Sequence, residues 1–247
     1  MTDAPIRSPH AALDPGGRRP KAEKILALLR LHELRPRPLR VLEIGTGSGA
    51  IAAHVARACG LPCEVDAVDV VDQRTVRDGF RFRLVDGTAR PFPDESFDAV
   101  ISNHVLEHVG ERGAQLHHLQ EIARVLRRGG RAYLATPNRW QVVEPHYRVA
   151  FLSWLPPRLR SRYLRARGKG AYYDCTPLGQ AELEALLRDA GLAFSNAGVR
   201  AVQVMARLER RPAVRAAAKV PGWIVQRLAP LLPTHIYLLG REAGHRQ

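Results

Sequence analysis

The stretch "VLEIGTGSGA", residues 41–50, decides the fold. A short apolar run leads into three glycines, Gly45, Gly47 and Gly49, after which the helical pattern "AIAAHVARACG" begins. Glycine lets the backbone turn sharply and lets a ligand approach a helix N-terminus closely. The stretch therefore predicts a buried strand, a glycine turn and a helix. By itself it leaves both a dinucleotide site and a plain strand-to-helix turn open.

Strands and helices alternate on both sides of this stretch. Apolar runs predict strands at 40–44, 64–70, 80–86, 97–103, 131–138, 194–202 and 235–241. Helical spacing and end signals predict helices at 21–34, 50–60, 118–130 and 177–192. Such alternation is typical of an α/β protein with a parallel, doubly wound sheet. We expect a single domain over residues 1–247, with residues 1–20 as a disordered lead.

Composition limits the class of protein. With 247 residues, 45% of them hydrophobic, the chain can bury one sizeable core. No run approaches the roughly 18 apolar residues of a membrane span, and the N-terminus has no apolar region of a secretory signal. The three cysteines, Cys59, Cys63 and Cys175, form neither a disulfide framework nor a paired zinc pattern. These features predict a cytoplasmic protein with reduced thiols.

Acidic residues follow the predicted strands in a fixed order. Glu43 precedes the glycines, Asp69 closes the second strand, and Asp86-Gly87-Thr88 is followed by the strand "FDAVISN". This order resembles the motifs of the class I S-adenosylmethionine-dependent methyltransferases, and the first four motifs are similar to ubiquinone-pathway O-methyltransferases. The resemblance implies a Rossmann-like, seven-stranded sheet with helices on both faces and an antiparallel last strand. It also implies S-adenosylmethionine as the cofactor.

The same resemblance implies a set of cofactor-binding residues. A carboxylate at Asp69 can accept both ribose hydroxyls of an adenosine. Asp86 is expected to face the adenine amino group, and Asn103 to border the methionine part. The full expected set is Glu43, Gly45, Thr46, Gly47, Gly49, Asp69, Val70, Asp86, Gly87, Thr88 and Asn103.

The segment "SNHVLEHV", residues 102–109, carries the candidate catalytic residues. His104, Glu107 and His108 are spaced to share one helix face at the carboxyl edge of the sheet. The segment resembles the E-x-x-E-H stretch that ubiquinone-pathway O-methyltransferases associate with magnesium, but His104 replaces the first acid and Mg²⁺ prefers oxygen ligands. Two histidines and a carboxylate would suit a transition metal, yet similar segments recur in metal-free relatives. We expect no metal, and His104 or His108 as a general base. Catalysis by positioning alone stays open.

Two basic segments, 139–175 and 205–233, are predicted to be helical cap insertions over the active site. The first has eight Lys or Arg against two acids and the second six against one, which is +11 of the net charge of +14. All three tryptophans, Trp140, Trp154 and Trp223, lie there as well. Three interpretations stay open: amphipathic helices on an anionic bilayer, a lid over an amphiphilic substrate, or a cap whose arginines simply face water. The expected substrate-binding residues are His146, Arg148, Trp154, Tyr172 and Tyr173.

These observations predict a methyltransferase that acts on a hydroxyl, or with less support an amine, of a small or lipid-linked acceptor. Peripheral association with an anionic membrane is part of this hypothesis. The alternative is an RNA-directed methyltransferase that uses the basic cap surface. Against nucleic acid, the fourth strand lacks the Asn/Asp-Pro-Pro-aromatic element of enzymes that methylate exocyclic base nitrogens, and no RNA-binding module is visible. The sequence does not indicate an oligomeric state.

Overall fold

The computed structural model describes residues 16–34, 38–208 and 220–241, and seven strands form its main sheet. In chain order these are β1 (Leu39–Ile44), β2 (Cys63–Asp69), β3 (Arg81–Leu84), β4 (Phe97–Asn103), β5 (Leu126–Pro137), β8 (Leu192–Asn196) and β9 (Thr234–Arg241). Their spatial order is β3-β2-β1-β4-β5-β9-β8. The first five are parallel, and β9 runs antiparallel to both β5 and β8. The prediction of a seven-stranded α/β sheet with an antiparallel last strand is confirmed.

Helices cover both faces of this sheet. They are α1 (Arg19–Leu29), α2 (Ala50–Ala58), α3 (Arg112–Val125), α4 (Pro157–Ala166), α5 (Gln180–Asp189), α6 (Gly198–Leu208) and α7 (Gly222–Arg227). Side chains alternate between the faces along each strand. In β5, Ala132 and Leu134 pack in the core under α3 and α5, whereas Tyr133 and Ala135 pack in the core under α1, α2 and α6. The sheet is therefore buried on both sides, as its near-continuous apolar strands require.

Two predicted elements beside the sheet have the wrong bounds. The segment 126–130 belongs to β5 and not to the helix predicted at 118–130, because Leu126 pairs with Phe97 of β4 across a register shift. Gly130 fits there because it has no side chain: a Cβ would lie 2.8 Å from the carbonyl oxygen of Asp98. The strand predicted at 194–202 ends at Asn196, whose side-chain oxygen accepts the N–H of Gly198 and so caps α6.

The first insertion, 139–175, is a small unit with its own core. Strands β6 (Val143–Glu144) and β7 (Val149–Ala150) form a hairpin, and α4 follows. Val149, Leu152, Leu164, Tyr173 and Cys175 pack together beneath them. The predicted helical cap is thus half hairpin and half helix.

The described residues of the second insertion, 205–208 and 220–233, contribute nothing to the lining of the candidate cleft, and its place over the site stays a prediction. It meets the carboxyl edge beside β5, where Asn138 donates hydrogen bonds to the carbonyl oxygens of Pro230 and Leu232. The candidate cleft opens between β1, β2 and β4, on the other side of β5 from β9. The rest of the segment, 209–219, lies outside the described residues.

Residues 1–20, which were predicted to be a disordered lead, end in helical structure. A 3-10 turn at Gly16–Arg18 leads directly into α1. Residues 1–15 lie outside the described residues. Among the described residues, no helix combines the length and the apolar character needed to cross a bilayer.

Candidate active site

A cleft of about 560 Å³ opens at the carboxyl ends of β1, β2 and β4. Open parallel sheets bind ligands at this edge. One part of the cleft is lined by Gly45, Thr46, Gly47, Asp69 and Val70, and another by Asn103, His104, His108, His146 and Asp174. Apolar side chains lie between them, among them Ile44, Ile51, Val68, Val85, Val105 and Val109. The cleft is therefore apolar in the middle and polar at its two ends.

The glycine loop needs its glycines for two reasons. Gly45, Gly47 and Gly49 all have positive φ values, of 77°, 52° and 79°. A Cβ on Gly45 would also lie only 2.3 Å from Cγ2 of Val105. No other residue type meets both conditions without strain.

The carboxylate of Asp69 is held in place by the backbone of this region. Its two oxygens accept hydrogen bonds from the N–H groups of Gly47, at 2.8 Å, and Val70, at 2.7 Å. Each carboxylate oxygen keeps a further lone pair for a ligand. Asp69 is thus oriented at the rim of the cleft before anything binds.

Three of the expected cofactor residues do not line the cleft. Gly49 and Asp86 lie outside its lining, and Asp86 is exposed. Glu43 is buried beneath the loop, 2% exposed. Burial raises the pKa of Glu43 to about 8, so its carboxyl group is protonated at neutral pH. The geometry gives Glu43 a supporting place under the loop.

Glu107 lies at the centre of a histidine cluster. Its carboxyl group is fully buried, and Oε2 accepts a hydrogen bond from Thr136 at 3.1 Å. Three imidazole nitrogens face Oε1: Nδ1 of His104 at 3.4 Å, Nε2 of His108 at 3.8 Å and Nε2 of His146 at 3.8 Å. Burial acts to raise the pKa of Glu107, but the neighbouring imidazoles of His104, His146 and His108 outweigh it and hold that pKa well below its usual range. Glu107 is therefore a buried anion.

The backbone explains this arrangement. His104 has a positive φ of 58°, and residues 106–108 form a single 3-10 turn instead of the predicted helix. The turn points Glu107 inward and leaves both histidines partly exposed to the cleft. The sequence predicted that the three residues meet, but not that the acid is buried between the imidazoles.

The expected substrate residues are only partly brought together. His146 lines the cleft. Its burial acts to lower the pKa of its ring, but the nearby carboxylates of Glu107, Glu144 and Asp174 outweigh this and raise it.

The other four expected residues do not line the cleft. Arg148 lies in the exposed hairpin turn, Tyr172 and Trp154 are 55% and 41% exposed, and Tyr173 is buried in the insertion core. Only Arg148 of these four belongs to the hairpin, and the other three follow it in the chain, so their role in substrate binding stays a prediction.

Sequence reasoning missed Arg18, Arg90, Asp174 and Cys175. Arg90 lines the cleft from below and donates hydrogen bonds to the carbonyl oxygens of Gly87 and Ala89, both at 3.1 Å. Burial lowers the pKa of Arg90 to about 10. Asp174 lines the cleft directly, and Cys175 lies behind His108, with Sγ 3.7 Å from Nδ1. The only signal for the last two residues was their place beside Tyr172-Tyr173 at the end of the insertion.

An exposed apolar surface, which we call the aromatic patch, lies on the insertion. It consists of Trp140, Val142, Phe151 and Trp154, which are between 41% and 55% exposed. The ring of Trp154 contacts those of Phe151 and Trp140, with centroids at 5.0 and 6.1 Å. Phe151 holds a left-handed φ of 57°, which is rare for a bulky residue and marks a strained position.

Among the residues of the insertion itself, exposed charge is of one sign. Arg148, Arg158 and Arg162 are exposed, whereas the two acids of the insertion, Glu144 and Asp174, are buried and half-buried. The surface of the insertion thus combines aromatic side chains with uncompensated positive charge.

Part of the chain matches the model of a known protein family. Residues 42–134 match the family model described as "Methyltransferase domain". The chain is 38% identical over 97 residues to a fatty-acid O-methyltransferase of Mycolicibacterium smegmatis, which covers 37% of this chain and 34% of that one. It is 29% identical over 171 residues to a ubiquinone biosynthesis O-methyltransferase of Xanthomonas axonopodis pv. citri, which covers 64% of each. The chain thus spans less than two thirds of the length of either relative.

Solved structures show the same fold. A complex of the Haloferax volcanii Trm112 methyltransferase activator contains a chain that superposes with a TM-score of 0.53, at 20% identity and over 94% of both chains. At this identity the likeness concerns the fold alone.

Proposed function

We propose that the chain is a class I S-adenosylmethionine-dependent methyltransferase and that it transfers a methyl group to a hydroxyl of a small or lipid-linked acceptor. The cleft carries this proposal. It joins an oriented carboxylate and a glycine loop at one end to histidines that rest on a buried anion at the other. A cofactor and an acceptor can meet between those two ends.

The residues present fit S-adenosylmethionine, which supplies a methyl group bonded to a positively charged sulfur. Asp69 would accept the ribose hydroxyls with the lone pairs that Gly47 and Val70 leave open. Gly45, Thr46 and Gly47 would follow the cofactor with their backbone, and Gly87, Thr88 and Asn103 would close the site around it. This assignment keeps eight of the residues expected from the sequence and gives Glu43, Gly49 and Asp86 no direct contact.

At the acceptor end, His104 is the better placed of the two candidate bases. Its Nδ1 faces the buried Glu107 carboxylate, which favours the tautomer with the proton on Nδ1. Nε2 then has the lone pair that can take the hydroxyl proton as the new carbon–oxygen bond forms. His108 has both nitrogens directed at protein groups, Nε2 at Glu107 and Nδ1 at Cys175. An amine acceptor would gain less from such a base.

The surroundings favour an apolar acceptor. The middle of the cleft is lined by aliphatic side chains, and the aromatic patch lies on the same insertion that contributes His146 and Asp174 to the cleft. Aromatic residues beside arginines are typical of surfaces that rest on anionic bilayers. We therefore include peripheral contact with such a bilayer in the proposal, since an acceptor with a lipid tail could enter the cleft from there.

Cofactor binding tests the first half of the proposal. Asp69→Asn should weaken S-adenosylmethionine binding about 10- to 100-fold by calorimetry, because hydrogen bonds to a charged group contribute about 1.5–3 kcal/mol. Asp72→Asn is the matched control, since Asp72 is paired with Arg74 and Arg77 and does not line the cleft. Equal affinity of the Asp69 variant and the wild type would refute the assignment.

Transfer of a radiolabelled methyl group tests the second half. A panel of fatty acids, long-chain alcohols and prenylated phenols should contain at least one acceptor, and a panel of matched primary amines should be poorer. Methylation of the amines alone would overturn the choice of a hydroxyl.

A further inference from the structure

Three side chains from separate parts of the chain converge beside the cleft. His108 follows β4, His146 lies in the β6–β7 turn, and Cys175 ends the insertion. One potential ligand atom from each lies within 4.8 Å of the other two. The rings of His108 and His146 meet edge to face with centroids 4.7 Å apart. Two imidazoles and a thiol at this separation are a donor set for a single metal ion.

Glu107 already orients both histidines as it would in a metal site. Its Oε1 lies 3.8 Å from Nε2 of His108 and 3.8 Å from Nε2 of His146. Histidine ligands usually direct one nitrogen at a carboxylate and bind the metal with the other. For His108 the other nitrogen is Nδ1, and Cys175 Sγ lies 3.7 Å from it. The histidines and the thiol are thus close enough for one ion to reach a ligand atom of each.

The local charge suits a cation, although the whole chain carries +14. Glu107 and Glu144 are buried, Asp174 is half-buried, and all three act electrostatically on both His146 and Cys175. Because charges interact more strongly in a buried environment than in water, this group of carboxylates stabilises a divalent ion.

The donor types indicate the metal. Nitrogen and sulfur ligands select zinc and other divalent transition metals, whereas Mg²⁺ takes oxygen ligands. The magnesium associated with the E-x-x-E-H stretch of related enzymes therefore does not fit here. The expectation of no metal considered residues 104–108 and the spacing of the cysteines separately, whereas the fold brings His146 and Cys175 beside His108.

We propose that His108, His146 and Cys175 bind one divalent transition-metal ion, zinc by preference, and that its fourth coordination position faces the acceptor end of the cleft. Cys175 binds as the thiolate and releases its proton to solvent. His108, His146 and Asp174 line the cleft, so the open position is reachable for a hydroxyl or carboxylate of an acceptor. The ion would also tie the insertion to the turn after β4. The inference goes beyond the proposed function, because metal binding does not depend on methyl transfer.

Cobalt is the probe for this site. The full chain, stripped with a chelator, should bind one equivalent of Co²⁺ and show a thiolate-to-cobalt charge-transfer band that zinc abolishes by displacement. Cys175→Ser should remove the band, and His146→Ala should weaken binding at least about 10-fold. Cys59→Ser/Cys63→Ser is the matched control and should keep the band, because both thiols lie outside the cluster.

Three results would overturn the proposal: no stoichiometric binding, a band that survives in Cys175→Ser, or a band lost in the Cys59/Cys63 variant. If Cys175→Ser does not fold, X-ray absorption of the zinc-loaded wild type tests the ligand set instead. One sulfur with two imidazole ligands supports the site, and a shell without sulfur refutes it. S-adenosylmethionine binding, measured in parallel, keeps a failure of this site distinct from a failure of the proposed function.

Discussion

Nδ1 of His104 lies 3.4 Å from Oε1 of Glu107, a carboxylate with no exposed surface. The pair joins a residue at the cleft to an anion that solvent does not reach. An imidazole held in this way has a fixed orientation and a fixed tautomer. The two residues should therefore act as a unit in catalysis.

His104→Gln should lower kcat about 10²- to 10⁴-fold, the usual contribution of a general base, with little change in S-adenosylmethionine affinity. Glu107→Gln should lower kcat about 10- to 100-fold, because it leaves the imidazole without its anionic partner. The double variant should be no slower than His104→Gln, since the acid acts through the histidine. Turnover of the best acceptor from the panel gives these values. Losses that multiply would show that the two residues act independently.

Glu43→Gln should leave S-adenosylmethionine affinity within about twofold of the wild type, because Glu43 does not line the cleft. It should also change the pH dependence of stability. Burial raises the pKa of Glu43 from 4.5 to about 8, so the native state binds more protons than the unfolded state between these values. The free energy of unfolding therefore falls as pH rises through this window. In urea unfolding, the free energy of unfolding of the variant should therefore increase relative to that of the wild type from pH 6 to pH 8. A large loss of cofactor affinity in the variant would contradict the supporting place of Glu43 under the loop.

His118 should make the protein acid-sensitive. Burial, helped by the charge of Arg90, lowers the pKa of His118 from 6.5 to about 3. Below pH 6.5 the imidazole of His118 is protonated in the unfolded state but stays neutral in the native state. The free energy of unfolding therefore falls as pH drops toward 3, by up to about 1.4 kcal/mol per pH unit. His118→Asn should flatten this slope in part, because burial also lowers the pKa of His235 to about 4. His117→Asn, a change at the exposed neighbour, is the control, and an unchanged slope in His118→Asn would refute the explanation.

The aromatic patch should insert into anionic bilayers. Phe151→Asn/Val142→Thr removes two of its apolar side chains, and asparagine accepts the left-handed backbone of residue 151. Flotation with phosphatidylglycerol vesicles should fall at least about 10-fold, since a buried apolar side chain contributes about 1.5–3 kcal/mol. Trp223→Ser, a change at a 70% exposed tryptophan on α7, is the matched control. Equal vesicle binding by the double variant and the wild type would exclude insertion of the patch. Vesicle binding that disappears entirely in salt, with retained affinity for RNA, would support the RNA-directed alternative.

Much of the fold could be predicted because its signals are local. The fourth strand has the predicted bounds, 97–103, since all but its last residue is buried and turn residues enclose it. The stretch 126–130 was misassigned because "LRRGG" reads as a helix end, whereas its pairing with Phe97 is a contact across the sheet. The periodicity of a segment does not show which residue of another strand it will pair with.

The candidate site was also predictable only where its signals are local in the sequence. The glycine loop and Asp69 follow strand ends, so the topology of a parallel sheet brings them together. The contact between Glu107 and His146 joins residues 39 positions apart through a hairpin whose turn no pattern predicted. Arg148, Trp154 and Tyr172, which were expected beside the substrate, do not line the cleft, because the position of a side chain on an insertion depends on how the insertion folds back.

The place of β9 in the sheet has a consequence for synthesis. It lies between β5 and β8, although it follows both in the chain. On the ribosome, β5 and β8 therefore emerge with no strand between them, and each waits with an open edge until residues 234–241 appear. Open edges pair with other chains, so nascent chains interrupted before Thr234 should be clients of chaperones.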